Sequence, residues 1–146
     1  MQTLAAILDR KGHAVHTAPP EATVLHAIDR MCRTHIGALV VVEGDRPIGV
    51  FSERDLMTRV VLEQRDPGTT RVAEVMSTHL RSVDVGTRPQ HVMELMTEWR
   101  VRHLPVLQGA RLVGLVSIGD LLRWAAEERE RIIDELERYS AGRYPG

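Results

Sequence analysis

Gly49-Val50-Phe51-Ser52-Glu53-Arg54-Asp55 and Gly114-Leu115-Val116-Ser117-Ile118-Gly119-Asp120 are one pattern written twice: glycine, an apolar pair, serine, two variable residues and aspartate. Displacing the chain along itself by 65 positions superposes them. Without a gap, the same displacement lays Leu39 on Leu104, Val41 on Val106, Gly44 on Gly109, Arg46 on Arg111 and Met31 on Met96. Self-similarity at a constant offset is the mark of a duplicated structural unit. Reading one copy therefore reads both.

Outward from the quoted stretch, Ile48–Ser52 and Ala38–Val42 are β-prone runs joined by Glu43-Gly44-Asp45-Arg46-Pro47, which reads as a hairpin. The nearly continuous apolar character of Ala38–Val42 predicts a strand buried on both faces. Upstream, Val24, Ala27, Ile28 and Met31 recur at i, i+3, i+4 and i+7, an amphipathic helix with Cys32 beside its apolar stripe. Pro89, Val92, Met93 and Met96 hold the same slots in the second copy, and proline suits a first helical turn. Val15–Thr17 forms a short strand, broken by Ala18-Pro19-Pro20. A second helix runs from Glu53 to about Gln64. Each unit is thus β-α-β-β-α, an α/β (α+β) class.

The first repeat spans 1–65 with an N-terminal helical turn at Leu4, Ile7 and Leu8, and a linker occupies 66–71. The second repeat covers 72–126, and a helical extension follows over 127–146. Neither half alone is large enough to bury a good core, so the two should pack together. Ile132, Ile133, Leu136 and Tyr139 continue an apolar stripe beyond the repeat. That stripe would be covered either within the chain or by a second copy.

Bulk properties exclude several classes. The 146 residues are 43% hydrophobic, 27% charged and 3% aromatic, with a formal net charge of −1. This gives neither a positive field nor a stacking platform for nucleic acid. The longest apolar run is too short to span a bilayer, and MQTLAAILDR has no signal-peptide pattern. A single cysteine forbids an internal disulfide and fits a reducing compartment, so a cytoplasmic protein is expected. Seven scattered histidines present no tight metal-ligand set. Ser52 has no adjacent histidine base, so catalysis is not expected.

The duplicated Gly-x-x-Ser-x-x-Asp closing each unit, with Arg102-His103-Leu104-Pro105-Val106 before the second, resembles the CBS-domain family, whose domains occur in pairs called Bateman modules. The resemblance covers about Leu4 to Trp124. It implies a stand-alone regulatory pair that homodimerises and holds AMP, ADP, ATP, NAD or another adenosine-containing ligand between its repeats. It also implies a pocket lined by Thr17, Ala18, Pro19, Gly37, Ala38 and Ser82, with Arg102 and His103 facing the phosphates across the cleft and Pro105 among the ligand-binding residues.

The corner residues suit such a ligand on chemical grounds. Ser52 can hydrogen-bond a phosphate at a helix start, Arg54 can add a charge-assisted contact and Asp55 can accept both ribose hydroxyls, so the nucleotide is expected at this first corner with added charge from Arg102 or His103; Ser117 and Asp120 repeat the geometry. Gly119 stands where Arg54 stands in the first copy, so the second corner lacks a guanidinium. Ser-x-x-Asp is equally a helix cap that serves without any ligand, and both readings stay open. The first copy has Ala38-Leu39-Val40 where the second has His103-Leu104-Pro105, so the clefts should differ in polarity. A protein-interaction scaffold with empty clefts is the alternative.

Overall fold

The computed structural model describes residues 2–143, and their side chains through residue 140. The chain runs α1 (Leu4–Lys11), β1 (Thr17–Ala18), α2 (Val24–Thr34), β2 (Ala38–Glu43), β3 (Arg46–Ser52) and α3 (Glu53–Asp55). It continues through a π-helical stretch, Leu56–Val61, to α4 (Val72–Val75), β4 (Val83–Asp84), α5 (Pro89–Trp99), β5 (His103–Gln108), β6 (Arg111–Ser117) and α6 (Ile118–Arg143). The strands form two three-stranded sheets, ordered β1-β2-β3 and β4-β5-β6. In each sheet the first pair is parallel and the second antiparallel.

The duplication extends to backbone detail. Gly44 and Gly109 turn the two hairpins at φ 65° and 64°. α2 and α5 end on His35 and Arg100, both left-handed, at φ 56° and 55°. Within one shared register, one difference in strand hydrogen bonding follows directly from sequence. The Val40 amide donates to the His16 carbonyl at 3.3 Å, extending the parallel pairing upstream of β1. Pro105 holds that position in the second copy and has no N–H to give. The Arg81 side chain instead lies over the Trp99 ring, 4.8 Å from its centroid.

Each sheet carries one core, and each core takes its leading helix from the other half of the pairing. Leu4, Ile7 and Leu8 of α1 pack with Val83, Val92, Met96, Leu104, Val106, Val116, Leu121 and Trp124. Val72, Val75 and Met76 pack with Val24, Ala27, Met31, Leu39, Val41, Phe51 and Val60. The N-terminal helix thus closes the C-terminal sheet, and the segment after the linker closes the N-terminal sheet.

Three local expectations are corrected. β1 is Thr17–Ala18 rather than Val15–Thr17, the strand ending against Pro19-Pro20 with the Thr17 carbonyl taken by Arg30 Nη1 at 2.6 Å. The helix after Ser52 is α-helical only through Asp55 and then widens. There the Leu62 amide donates to the Met57 carbonyl at 3.0 Å, an i→i+5 closure, and the Thr58 hydroxyl donates to the Arg54 carbonyl at 2.8 Å. Cys32 is exposed rather than on the apolar face. It follows buried Met31 by one residue, and that step of about 100° turns it out of the stripe.

Candidate functional site

The two corners are built alike and used differently. At the first, the Ser52 amide and hydroxyl both donate to Asp55 Oδ2, at 2.9 and 3.0 Å, while the Asp55 amide donates back to Ser52 Oγ at 3.4 Å. This reciprocal arrangement is a capping box. The other oxygen, Oδ1, accepts from the Ser77 hydroxyl at 3.0 Å and lies 3.7 Å from Arg59 Nε. Asp55 is buried, 5% exposed, with both carboxylate oxygens engaged. Arg54, one residue earlier, is exposed.

At the second corner the box recurs: the Ser117 amide donates to Asp120 Oδ2 at 2.9 Å, and the Asp120 amide to Ser117 Oγ at 3.1 Å. Here, however, the carboxylate is more open. Among the described residues no second serine takes the place that Ser77 has at the first corner; Lys11 Nζ, from the end of α1, donates to Asp120 Oδ2 and to the Leu115 carbonyl, both at 2.6 Å. The Lys11 ammonium and the Ser117 amide together hold the Asp120 carboxyl below the usual aspartate range, against burial that pushes it upward. The cation missing at Gly119 is thus supplied from 109 residues away.

Between the corners lies the seam of the two repeats. The Glu53 amide donates to the Gly37 carbonyl at 3.0 Å, and the Ile118 amide to the Arg102 carbonyl at 2.9 Å, tying each helix start to the entry of its own sheet's middle strand. A Cβ on Gly37 would stand 3.4 Å from His103 Cε1 and 3.5 Å from the Glu53 carboxyl, so Gly37 leaves room for a second-repeat side chain to cross the seam. His103 is half-buried there. Burial, then the nearby Lys11 charge, lowers its pKa below the ordinary histidine value, and Glu53 and Asp120 oppose that fall. Arg102 beside it is exposed. Ala38 pairs with Ser52, His103 with Ser117 and Pro105 with Leu115, so these residues are positioned by sheet register. Thr17 and Ala18 lie in β1, Pro19 follows it exposed, and Ser82 immediately precedes β4.

Gly49 and Gly114 admit protein. A Cβ on Gly49 would meet Met76 Sδ at 2.6 Å and the Ser77 carbonyl at 2.9 Å, and one on Gly114 would meet Leu8 Cδ2 at 2.6 Å. Beside the Asp120 corner, Ile7, Arg10, Lys11, Asp120, Arg123, Trp124 and Glu127 line a cavity of about 240 Å³ between α1 and α6. Arg10 pairs with Glu127 at its rim, at 2.6 Å. Lys11 and Ser77, which complete the two corners, are the candidate-site residues that motif reading missed.

The CBS domain family model matches this chain twice, over residues 11–62 and 72–127. The chain belongs to the CBS-domain family. It is 30% identical over 151 residues to the CBS domain-containing protein CBSX3, mitochondrial, of Arabidopsis thaliana, covering 97% of this chain and 73% of that protein. It is 34% identical over 118 residues to the CBS domain-containing protein YhcV of Bacillus subtilis, covering 81% and 84% respectively. Among solved structures, a CBS-domain protein from Burkholderia ambifaria, provisionally named for signal transduction, superposes with a TM-score of 0.81. It shares 42% identity, over 85% of this chain and 93% of that one. A tandem CBS pair is a regulatory module, and the α/β architecture is that of the family; here a long C-terminal helix runs on beyond the matched residues. No helix among the described residues is long and apolar enough to cross a membrane.

Proposed function

We propose that this CBS pair is a sensor that binds an adenine nucleotide (AMP, ADP, ATP or NAD) at the seam between its repeats and works as a homodimer. The observation that supports this most is the second corner. Asp120, Ser117, Lys11 and His103 gather a hydrogen-bond acceptor, a helix start and two basic groups within one part of the seam. A carboxylate can accept a ribose diol, and cations with helix-start amides favour phosphate. The first corner fits a capping role better, because both Asp55 oxygens already have partners inside the protein. In this reading the ribose sits on Asp120, and the adenine sits against the part-exposed Thr17 and Gly37 or against Ser82; Ala18 and Ala38, expected in the pocket, are buried within the protein and stand behind it. Arg54 and Arg102, both exposed, are left to reach phosphates from the rim. Regulation requires that the ligand favour one arrangement of the halves or of two subunits, which a partner then reads.

Calorimetric titration of nucleotide-free protein with AMP, ATP, NAD and GTP tests the reading. Saturable binding of an adenine ligand without GTP binding supports it. Silence across the panel favours a protein-interaction scaffold, a reading supported by the exposed Ile132, Leu136 and Tyr139 on α6.

A further inference from the structure

Lys11 and Asp120 are each other's partner in the ligand-free protein, at 2.6 Å, yet neither is sealed in: their side chains are 35% and 14% exposed. The contrast with Asp55 is chemical. Each aspartate takes the serine amide of its own box; Asp55 adds the Ser52 and Ser77 hydroxyls, with Arg59 Nε 3.7 Å away, whereas Asp120 adds a flexible ammonium on the last residue of α1. The backbone leaves α1 directly after Lys11 through Gly12, at φ 106°. With Lys11 about a third exposed and Asp120 mostly buried, the pair can be reached by solvent, but opening it loses a charge-assisted bond unless both groups find new partners. The cavity beside it, about 240 Å³, is smaller than the roughly 300–1,000 Å³ of a whole small-molecule site. It has room for the phosphate end of a ligand, and its wall sets three cations, Arg10, Lys11 and Arg123, against two carboxylates, Asp120 and Glu127, with Arg10 paired to Glu127.

We infer that Lys11 is an exchangeable latch on Asp120, which makes the second corner select ribose phosphates over the corresponding nucleosides. This rests on the nucleotide reading above. A nucleoside reaching Asp120 would bring a diol for the carboxylate but nothing for the displaced ammonium, which would lose a charge-assisted bond. A nucleotide brings both: the diol replaces Lys11 on Asp120, and the phosphate takes Lys11 into the cavity lined by Arg10 and Arg123. Both members of the broken pair are then satisfied again, so selectivity comes from the exchange as well as from attraction to phosphate.

The test is titration of the full-length chain and its Lys11→Met variant with AMP and with adenosine. The wild type is expected to favour AMP by about tenfold or more, the worth of one charge-assisted hydrogen bond. In Lys11→Met, AMP should bind several-fold more weakly and adenosine several-fold more tightly, so the two affinities converge. A variant that binds AMP and keeps the wild-type ratio overturns the latch while leaving the nucleotide reading intact. A wild type that binds neither ligand overturns both. Carbon-detected NMR titration of the ligand-free protein reads the pair directly: the Asp120 carboxyl should titrate at higher pH in Lys11→Met, and an unchanged value overturns the latch whatever the ligand.

Discussion

Replacing Gly49 with alanine should be one of the most damaging single-methyl changes in the molecule. The new Cβ would lie 2.6 Å from Met76 Sδ, 2.9 Å from the Ser77 carbonyl oxygen and 3.1 Å from Met76 Cγ. Ordinary heavy-atom contacts settle at about 3.5–4.0 Å, so roughly an ångström of relief is needed. Met76 can provide part of it by rotating its side chain. Ser77 cannot, because its carbonyl accepts from the Val50 amide at 3.1 Å and its own amide donates to the Val50 carbonyl at 2.9 Å. Relief there means prising this two-bond bridge from β3 and pulling Met76 from the first core. Overpacking costs about 1–3 kcal/mol. The smaller entropy of an unfolded alanine offsets about 0.4–1 kcal/mol of that. The expected net loss is about 1–2 kcal/mol, or about 2–8 °C in Tm for a chain of this length. Urea denaturation followed by far-UV circular dichroism measures it. A Gly49→Ala variant within about 0.5 kcal/mol of the wild type would refute the reasoning, since surface-like tolerance is incompatible with a backbone carbonyl at that distance.

Gly114→Ala meets only the Leu8 side chain, so it should cost less than Gly49→Ala in the same assay, about 1 kcal/mol. Asp55→Ala should destabilise the fold by about 2–4 kcal/mol, because it strands the Ser52 and Ser77 donors in a largely buried network; unfolding midpoints check this, and an unaltered midpoint would return Asp55 to a purely ligand-facing role. His103 is held below its ordinary pKa, so the unfolded chain takes up its proton first. Stability should therefore fall as pH drops from about 6.5 towards the folded-state value, and level off below it. His103→Gln should lose that component when urea midpoints at pH 7.5 and 5.5 are compared. The Asp120 carboxyl is depressed by Lys11, so its contribution is present above the unfolded aspartate value and lost as pH falls through the lower folded one. Lys11→Met should consequently begin acid unfolding at higher pH than the wild type.

Features with a local period were legible in the sequence. The α2 stripe of Val24, Ala27 and Met31, the buried run of β2 and the two hairpin glycines stand where the patterning puts them. So does α6, running through Tyr139 with the apolar stripe exposed. Features made by distant contacts were not legible. α4 is four residues long and has no period to detect, and its burial of Val72 and Val75 depends on a sheet formed elsewhere in the chain. Ser52-x-x-Asp55 could be read as cap or ligand site; what distinguishes the two corners is Ser77 on one carboxylate and Lys11 on the other. Neither partner belongs to the repeated motif, and the displacement that aligns the sheets does not align them. Cys32 shows the limit of the helical stripe itself, since a residue adjacent to a buried position falls well outside the buried arc.

The crossing of α1 to the far sheet bears on how the protein is made. A ribosome delivers the first sheet before Val72, Val75 and Met76 exist to cover it, so that sheet must wait, unsealed, for the segment that follows the linker. Leu4, Ile7 and Leu8 emerge first and are needed last, held in reserve until Leu121 and Trp124 have been synthesised. Vectorial synthesis therefore cannot bank a finished first half, and folding should be concerted and comparatively slow, dominated by loop closure over most of the chain. Two nascent chains on one messenger would each display an uncapped second sheet and a ready α1, which is the circumstance in which neighbours exchange helices.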